Sequence, residues 1–422
     1  MRNTDYFKNK KVTIVGLARS GLACADLLSD LGAQVSVSDS QDSESLRLNA
    51  AKLKAKNIKI ELGKHTQEFI KEKDFIVVSP GVDNKSLAIK WAQNLKIPII
   101  SEIEVGWILC PATIIAVTGT NGKTTVTTLI AKMLVESGKV AFACGNIGNP
   151  FCGELQKIEA GDFVSLEVSS FQLERIQKFK PKIAVILNFS LNHLDRYKNS
   201  EEYLEAKKRI FLNQDSSDYL VLNYQDSVLN NLAKETKAQV AYFSEKKGLN
   251  PNQAAVKTVG SILKIDKESA LKVLREFKGI EHRLEQVAQI NNIKFINDSK
   301  ATTVDSAIWA LKNIPEPIVL IAGGRDKGND YSLILELARK KIRKLILIGE
   351  AKEKIRNAFR NLLSISEAAN LNEAVGLAFG SAQAGDCVLL SPMCSSFDMF
   401  SNYEERGTIF KKAVHDLIKN NS

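Results

Sequence analysis

The sequence predicts an α/β protein made of three consecutive domains with largely parallel sheets. Two observations support this fold class. In three separate regions, short runs of β-branched residues lead into glycine-containing turns, and a helical pattern of apolar residues follows. The chain of 422 residues is also long enough for several domains, each with a core of its own.

The composition is that of an ordinary globular protein. It is 44% hydrophobic and 25% charged, and the N-terminus lacks the apolar run of a signal peptide. The longest apolar region, 97–117, is interrupted by charged residues and prolines, so we expect no membrane span. Six cysteines without a C-x-x-C pair favour reduced thiols in the cytoplasm and indicate no metal site.

The net charge of +10 raises the question of nucleic-acid binding. The basic residues are scattered, and no recognised nucleic-acid-binding module is found, so we expect no nucleic-acid partner. A biased coding composition and anionic small substrates together explain the charge.

The first region, residues 1–102, is predicted to be a small nucleotide-binding domain. A strand at Val12–Val15 leads into the turn Gly16–Gly21 and a helix, and a second strand finishes at Asp39. This order is close to the dinucleotide fingerprint G-x-G-x-x-G with its later acidic residue. Ala18 replaces the middle glycine, which normally lets the backbone touch a pyrophosphate. The substitution disfavours an NAD-dependent dehydrogenase and leaves room for a nucleotide bound differently.

A further strand of this region, Phe75–Val78, runs into the turn Ser79-Pro80-Gly81. Turns at the carboxyl ends of strands line ligand crevices in open α/β sheets. A plain connecting turn is the alternative interpretation.

The central region, residues 103–280, begins with a predicted phosphate-binding loop, Thr113–Thr125. A strand, a glycine-marked turn and a patterned helix follow one another, so backbone N–H groups and the helix dipole favour an anion. Lys123 adds a full positive charge, and Thr124 is placed to put its hydroxyl on a magnesium ion. The pattern G-x-x-x-x-G-K-[ST] asks for glycine at Val117, whereas the first glycine here is Gly119. A tighter nucleotide-triphosphate loop is therefore predicted.

Two more strands of the central region end in polar groups. The strand 162–167 ends at Glu167, and the strand 183–187 precedes a segment that contains His193. Carboxyl ends of parallel strands meet at one edge of a sheet, so both residues are expected near Thr124. A carboxylate, a hydroxyl and phosphates suit Mg²⁺. Each residue by itself would more often be an ordinary capped or buried polar group.

The third region, residues 281–422, repeats the alternation of apolar strands and helices. Glycine-rich or polar turns follow the strands. The predicted strands are Lys294–Asn297, Ile318–Ala322, Leu345–Ile348 and Cys387–Leu390.

Five stretches together make the chain resemble the Mur ligase family, and the resemblance covers essentially the whole sequence. The phosphate-loop motif is shared by all Mur ligases and by folylpolyglutamate synthases, whereas Glu167–Glu174, Asp298–Lys300 and Ser395–Asp398 resemble the family member that adds D-glutamate. The five stretches are Thr118–Thr125, Glu167–Glu174, Asn192–Arg196, Asn297–Thr302 and Ser391–Asp398 with Arg406–Gly407.

The resemblance implies a fold, an activity and partners. It implies a Rossmann-like N-terminal domain for the UDP substrate, a central P-loop ATPase α/β domain, and a Rossmann-like C-terminal domain for the amino acid. The implied enzyme is a monomeric, cytoplasmic, ATP-dependent ligase of peptidoglycan precursor synthesis. It joins D-glutamate to UDP-N-acetylmuramoyl-L-alanine through an acyl phosphate and releases ADP and phosphate. Two Mg²⁺ sites are implied, one of them using a carbamylated lysine.

The resemblance also implies site residues, carried over position by position. Residues for ATP and its phosphates are Gly119, Thr120, Asn121, Gly122, Lys123, Thr124, Thr125, Asn250, Arg283 and Asp298. Metal ligands are Thr124, Glu167, His193 and Lys207, the last as the carbamate. Residues for the UDP substrate are Ser20, Asp39, Ser79, Gly81 and Asn146. Residues for D-glutamate are Lys300, Thr302, Lys327, Ser396 and Tyr403. Catalytic roles fall to Lys123, His193, Lys207 and Lys300.

Several positions depart from the family pattern. Near the expected adenine site, Leu249 replaces a histidine and Gln253 replaces an asparagine, after a shortened segment 241–248. Leu191-Asn192 replaces a more acidic pair, and Gln41 stands where a basic residue is common. For Lys207 the alternative is a solvated helix lysine.

Three other functions stay open at this point. One is a ligase of the same family that uses a different amino acid. Another is a nucleotide-hydrolysing switch without ligase chemistry. The third is the NAD-dependent dehydrogenase, which rests on Gly16–Gly21 alone.

Overall fold

The computed structural model describes residues 3–190, 196–245, 249–277, 279–326 and 328–421. The chain divides into two compact units, Met1–Phe277 and Lys278–Ser422. The first unit contains two sheets and the second contains one. Three successive α/β sheets confirm the predicted fold class, and the boundaries predicted at 102/103 and 280/281 stay predictions.

The first sheet is fully parallel, in the order β3-β2-β1-β4-β5. Its strands are β1 Lys11–Val15, β2 Gln34–Asp39, β3 Lys59–Leu62, β4 Phe75–Val78 and β5 Ile99–Ser101. Its helices are α1 Arg19–Asp30, α2 Glu44–Lys54 and α3 Leu87–Asn94. The turns after β1 and β4 lie side by side because these two strands are neighbours.

Helix α4, Glu102–Leu109, connects the first sheet to the second. The second sheet is also fully parallel, and its strand order is β11-β10-β9-β6-β8-β7. The strands are β6 Thr113–Thr118, β7 Ala141–Gly145, β8 Phe163–Glu167, β9 Ile183–Ile186, β10 Tyr219–Asn223 and β11 Gln239–Phe243. The helices are α5 Lys123–Glu136, α6 Phe151–Glu154, α7 Ser170–Leu173, α8 Ser200–Lys208, α9 Ser227–Leu232, α10 Pro251–Ile262 and α11 Lys267–Glu276.

The sheet of the second unit has the order β12-β13-β17-β14-β15-β16, and β12 is antiparallel to β13. The strands are β12 Glu285–Ile290, β13 Ile293–Asn297, β14 Ile318–Gly323, β15 Ile342–Ile348, β16 Ser364–Glu367 and β17 Cys387–Leu390. The helices are α12 Val304–Asn313, α13 Leu335–Lys341, α14 Lys352–Phe359, α15 Leu371–Ser381 and α16 Tyr403–Asn421. The antiparallel strand β12 is absent from the sequence prediction, because its polar edge lacks the apolar run of a buried strand.

Two buried glutamates of α4 anchor this linker helix to the second sheet. Both are 1% exposed. Glu104 accepts backbone N–H groups of three consecutive residues, Gln177, Lys178 and Phe179, at 2.8–3.0 Å. Glu102 accepts the N–H of Cys152 at 2.6 Å. The linker is thus held by buried polar contacts in addition to apolar packing.

Within the described residues, no helix is both long and apolar enough to cross a membrane. All six cysteines are free thiols.

Candidate functional site

The loop between β6 and α5 has the geometry predicted for phosphate binding. Gly122 caps the N-terminus of α5 with a positive φ of 81°. A Cβ there would clash with the side-chain oxygen of Asn252. A larger residue is therefore excluded twice, by backbone conformation and by space. Asn252 itself was not singled out from the sequence.

Asn188, two residues after the end of β9, holds this loop in place. Its backbone oxygen accepts the N–H of Thr120 at 3.1 Å. Its side-chain oxygen accepts the N–H of Asn121 at 2.9 Å, and its side-chain amide donates back to Asn121 O at 3.1 Å. Sequence reasoning did not assign Asn188 to the site, although its position after a central strand was an available signal.

Two lysines converge on the carbonyl oxygen of Gly119. Lys123 Nζ donates to it at 2.9 Å and to Thr120 O at 2.8 Å. Lys207 Nζ, from α8, also donates to Gly119 O at 2.9 Å. Lys207 is 1% exposed and lies 4.5 Å from the ring centre of Tyr203. The solvated-lysine interpretation of Lys207 is therefore wrong.

The amine of Lys207 is held in an environment that disfavours its charge. Burial lowers its pKa well below the usual value, and repulsion by Lys123 adds to the effect. A lowered pKa favours the neutral amine, which is the nucleophilic form of lysine that can be modified.

Glu167 ends β8 beside this loop, because it pairs in register with Val117 of β6. Its Oε1 accepts the side-chain N–H of Asn146 at 2.9 Å. Its Oε2 is buried and has no hydrogen-bond partner among the described residues. A buried carboxylate oxygen without a donor suits a cation, and the buried Thr124 hydroxyl on α5 is the other oxygen donor expected there. The donor set therefore fits Mg²⁺.

His193 and Lys327 lie outside the described residues, as do Leu191 and Asn192. Their assignments stay predictions.

The residues predicted for the UDP substrate lie at the carboxyl edge of the first sheet and in the loop after β7. Ser79 Oγ donates to Gly16 O at 2.9 Å and ties the turns after β1 and β4 together. Asp39 accepts the N–H of Leu17 at 2.8 Å. Ser20 lies in the first turn of α1. The remaining two are exposed loop residues, Gly81 and Asn146.

The departure at Gln253 has a structural explanation. Asn250 is the N-cap of α10 and accepts the N–H of Gln253, whose side chain accepts the N–H of Asn250 in return. This reciprocal capping box satisfies two N–H groups that a helix start leaves free. Leu249 packs against the apolar core formed by α5 and α10. Both departures therefore stabilise the start of α10.

In the second unit, Asp298 follows β13 and is 5% exposed. It accepts Ser391 Oγ at 3.0 Å and the N–H of Leu284 at 3.2 Å. Burial raises the pKa of Asp298 to about 7, although the hydrogen bonds and the charge of Arg283 act against this rise. The assignment of Arg283 and Asp298 to ATP stays a prediction.

Residues predicted for D-glutamate lie around the carboxyl ends of β13 and β17. Lys300 Nζ lies 5.6 Å from the ring centre of Tyr403, the first residue of α16. Thr302 donates its N–H to Lys300 O at 2.9 Å. Ser396 is 2% exposed in the loop after β17. The structure gathers these four residues from two loops and one helix start.

A second group of possible metal ligands, Glu281, His282 and Glu285, is already paired with the ammonium group of a lysine. Lys411 Nζ lies 2.8 Å from a carboxylate oxygen of each glutamate. This contact lowers the pKa of Glu281. The group is therefore an ion-pair network of the second unit.

Each of the three α/β regions of the chain matches a known family. The family described as "Mur ligase MurD-like, N-terminal domain" matches residues 10–101. "Mur ligase middle domain" matches residues 117–288, and "Mur ligase, glutamate ligase domain" matches residues 282–394.

Two relatives match this chain over almost their full length. The UDP-N-acetylmuramoylalanine--D-glutamate ligase of Thermoanaerobacter pseudethanolicus is 40% identical over 97% of this chain and 99% of its own length. The enzyme of the same name from Chloroherpeton thalassium is 40% identical over 98% and 99%.

Among solved structures, the UDP-N-acetylmuramate-alanine ligase of Thermotoga maritima matches with a TM-score of 0.59 at 20% identity. The match covers 96% of this chain and 99% of that one and supports the fold. From the three matching domains and the full-length relatives, we conclude that the chain belongs to the Mur ligase family.

Proposed function

We propose that this Mur ligase joins D-glutamate to UDP-N-acetylmuramoyl-L-alanine in peptidoglycan precursor synthesis, with conversion of ATP to ADP and phosphate. The observation that carries the proposal is 40% identity to D-glutamate ligases over 97% of this chain. The match spans almost the full length of both chains, as expected for enzymes with the same three domains.

The proposed reaction gives the phosphate loop a chemical purpose. A carboxylate does not react with an amine, because its leaving group would be oxide. Transfer of the terminal phosphoryl group of ATP to the carboxylate of the L-alanyl residue forms an acyl phosphate. The amine of D-glutamate then attacks the acyl carbon, loses a proton, and expels phosphate. Catalysis of such a transfer is mainly positioning and neutralisation of charge.

We assign charge neutralisation first to the loop residues. The N–H groups at the start of α5, Lys123–Thr125, lie at the positive end of the helix dipole. Lys123 is already aimed at this turn, since it donates to Gly119 O and Thr120 O. On phosphate binding, its ammonium group would exchange these carbonyls for phosphate oxygens.

Mg²⁺ would be held by Thr124 and Glu167, and by His193 and a modified Lys207 at a second position. The metal would supply positive charge to the phosphate oxygens. The buried Glu167 Oε2, which has no partner among described residues, supports this assignment.

We further propose that Lys207 carries a carbamate. A neutral lysine amine adds to carbon dioxide and releases one proton, which converts a cation into an oxygen anion that can bind a metal. The strongly lowered pKa of Lys207 favours the neutral amine needed for this addition. Its position at the Gly119 carbonyl places the product beside the phosphate loop.

For the amino acid, we propose Lys300, Thr302, Lys327, Ser396 and Tyr403. Lysine ammonium groups and hydroxyl donors suit the two carboxylates of D-glutamate. For the UDP substrate, we propose Ser20, Asp39, Ser79, Gly81 and Asn146. We propose a location in the cytoplasm, where ATP and nucleotide-activated sugars are made, which agrees with six free cysteines. We also propose that the protein is a monomer.

A coupled assay of ADP release tests the proposal, with UDP-N-acetylmuramoyl-L-alanine present and the amino acid varied. We expect release to depend on D-glutamate. A preference for L-lysine, meso-diaminopimelate or L-alanine would instead indicate a ligase of the same family with another substrate. Release that ignores both substrates would indicate a nucleotide-hydrolysing switch.

A further inference from the structure

Arg406 is the largest side chain that is fully buried in the described part of the chain. It lies in the first turns of α16, three residues after Tyr403. Arginine is almost never fully buried unless its charge is paired. Its presence in the interior therefore needs a reason beyond filling space.

The guanidinium group of Arg406 joins two loops by hydrogen bonds. Its Nε donates to Ser299 Oγ at 3.0 Å, and one terminal nitrogen donates to Ser299 O at 2.8 Å. The other terminal nitrogen donates to Cys394 O at 3.2 Å. Ser299 follows β13 and Cys394 follows β17, so one planar group fixes the distance between two strand ends.

Ser299 is tied to α16 a second time, because its hydroxyl donates to Tyr403 O at 2.8 Å. The end of β13 is fixed to the same helix turn, since Asn297 donates to Gly407 O at 3.2 Å. Gly407 packs directly on His282, where a Cβ would clash with the imidazole ring. The start of α16 is therefore a rigid support for the loop that contains Lys300.

The charge of Arg406 is satisfied by neutral acceptors, two carbonyls and one hydroxyl. Asp398 adds only a longer-range attraction, and burial lowers the pKa of Arg406 to about 10, so the group stays charged at neutral pH. Burying a cation in this way is unfavourable compared with an apolar side chain of similar size. The arrangement is better explained by a need for positive charge and fixed loops at this edge of the sheet.

We propose that Arg406 is a positioning residue for the incoming dicarboxylic amino acid: it fixes the Ser299–Lys300 turn against the Cys394–Ser396 loop. This inference rests on the proposed function, because it assumes that Lys300 and Ser396 hold the amino acid. Arg406 does not touch the substrate in this account. It sets the spacing between Lys300 and Ser396, which hold the amino acid, and its positive charge attracts the carboxylates of the amino acid.

The test compares Arg406→Lys with the wild-type enzyme in the ADP-release assay, with D-glutamate, ATP and UDP substrate varied in turn. Lysine keeps the charge but lacks the planar fork that reaches both loops. Displacement of Lys300 should cost one charge-assisted hydrogen bond to the substrate. We therefore expect the KM for D-glutamate to rise by at least about tenfold. The KM values for ATP and for the UDP substrate should change by less than about twofold.

Two further variants keep the result decisive. Ser299→Ala leaves Arg406 in place but removes the hydroxyl that links it to Tyr403 O, so it should raise the KM for D-glutamate even if Arg406→Lys does not fold. Arg343→Lys is the matched control, because Arg343 forms an ion pair with Asp386 at the opposite end of the same sheet. It should leave all three KM values unchanged.

An unchanged KM for D-glutamate in both Arg406→Lys and Ser299→Ala would overturn the inference. So would an equal rise in all three KM values, which would indicate general loosening of the fold. Failure of the proposed function can be told apart from failure of this inference, because the wild-type enzyme itself would then not use D-glutamate.

Discussion

The two buried glutamates of the linker helix α4 allow a quantitative test, because the same Glu→Gln change should have opposite consequences at positions 102 and 104. Glu104 accepts three backbone N–H groups, two at Oε2 and one at Oε1. A glutamine keeps one oxygen, so at least one N–H loses its acceptor in the interior. Hydrogen bonds to charged groups contribute about 1.5–3 kcal/mol each, so we expect Glu104→Gln to lower the free energy of unfolding by about 2–4 kcal/mol.

Glu102 is the control. It accepts one backbone N–H, and its Oε2 is buried without a partner among the residues described. Burial raises the pKa of Glu102 from 4.5 to about 7. The native state therefore binds a proton that the unfolded state releases as the pH rises above 4.5. Stability is lost across this window, and at about pH 8 the ionised carboxylate costs about 3 kcal/mol.

Glutamine resembles the protonated acid and removes this pH dependence. We expect Glu102→Gln to match the wild type at about pH 5 and to become the more stable protein by about pH 8. Urea unfolding measured by the fluorescence of Trp107 suits the test, since its indole N–H donates to Lys180 O at 3.0 Å beside the anchored loop. Trp91 and Trp309 would be replaced by phenylalanine. Equal losses of stability in the two glutamine variants would refute this account of α4.

Three further predictions concern the phosphate loop. Lys123→Ala should abolish D-glutamate-dependent ADP release, because it removes positive charge from the phosphates, and near-normal activity would contradict the assignment. Lys207→Ala should be largely inactive in the same assay and partly restored by a small carboxylate that fills the place of the carbamate; wild-type activity without the carboxylate would exclude the carbamate. Gly122→Ala should raise the KM for ATP by about tenfold or more, because it strains a positive φ and displaces Asn252. Gly138→Ala is its control, since Gly138 also has a positive φ but open space around it, at the far end of α5.

The strands that carry the site were predictable from sequence because they are buried on both faces and therefore consist of continuous apolar runs. The strands β8, β9, β13, β14 and β17 agree with prediction to within one residue at each end. Edge strands such as β12 carry polar residues and do not stand out. Their existence depends on pairing with a neighbour, which a local pattern does not contain.

The phosphate loop could be predicted, whereas the contacts of the residues that hold it could not. Lys123 is recognisable from its neighbours in sequence. Asn188 and Asn252 approach the loop from distant parts of the chain, and their contacts are known only once the sheet order is known. The inward direction of Lys207 likewise depends on how α8 packs.

Arg406 shows most clearly which features of the site cannot be predicted from the sequence. An arginine in an amphipathic helix start is expected at the surface. Its full burial follows from two loops that meet on α16, and nothing in the neighbouring sequence indicates that meeting. Gln253 is the opposite case, because the spacing Asn-x-x-Gln before a helix already indicates a capping box.

In the proposed reaction, phosphoryl transfer from ATP activates the carboxylate of UDP-N-acetylmuramoyl-L-alanine, and the amine of D-glutamate then attacks the acyl carbon. The most direct measurement labels that carboxylate with oxygen-18 and follows the label by mass spectrometry after turnover with ATP and D-glutamate. We expect one labelled oxygen to appear in the released phosphate and the product to contain the new amide. Unlabelled phosphate, or phosphate released at the same rate without D-glutamate, would contradict it.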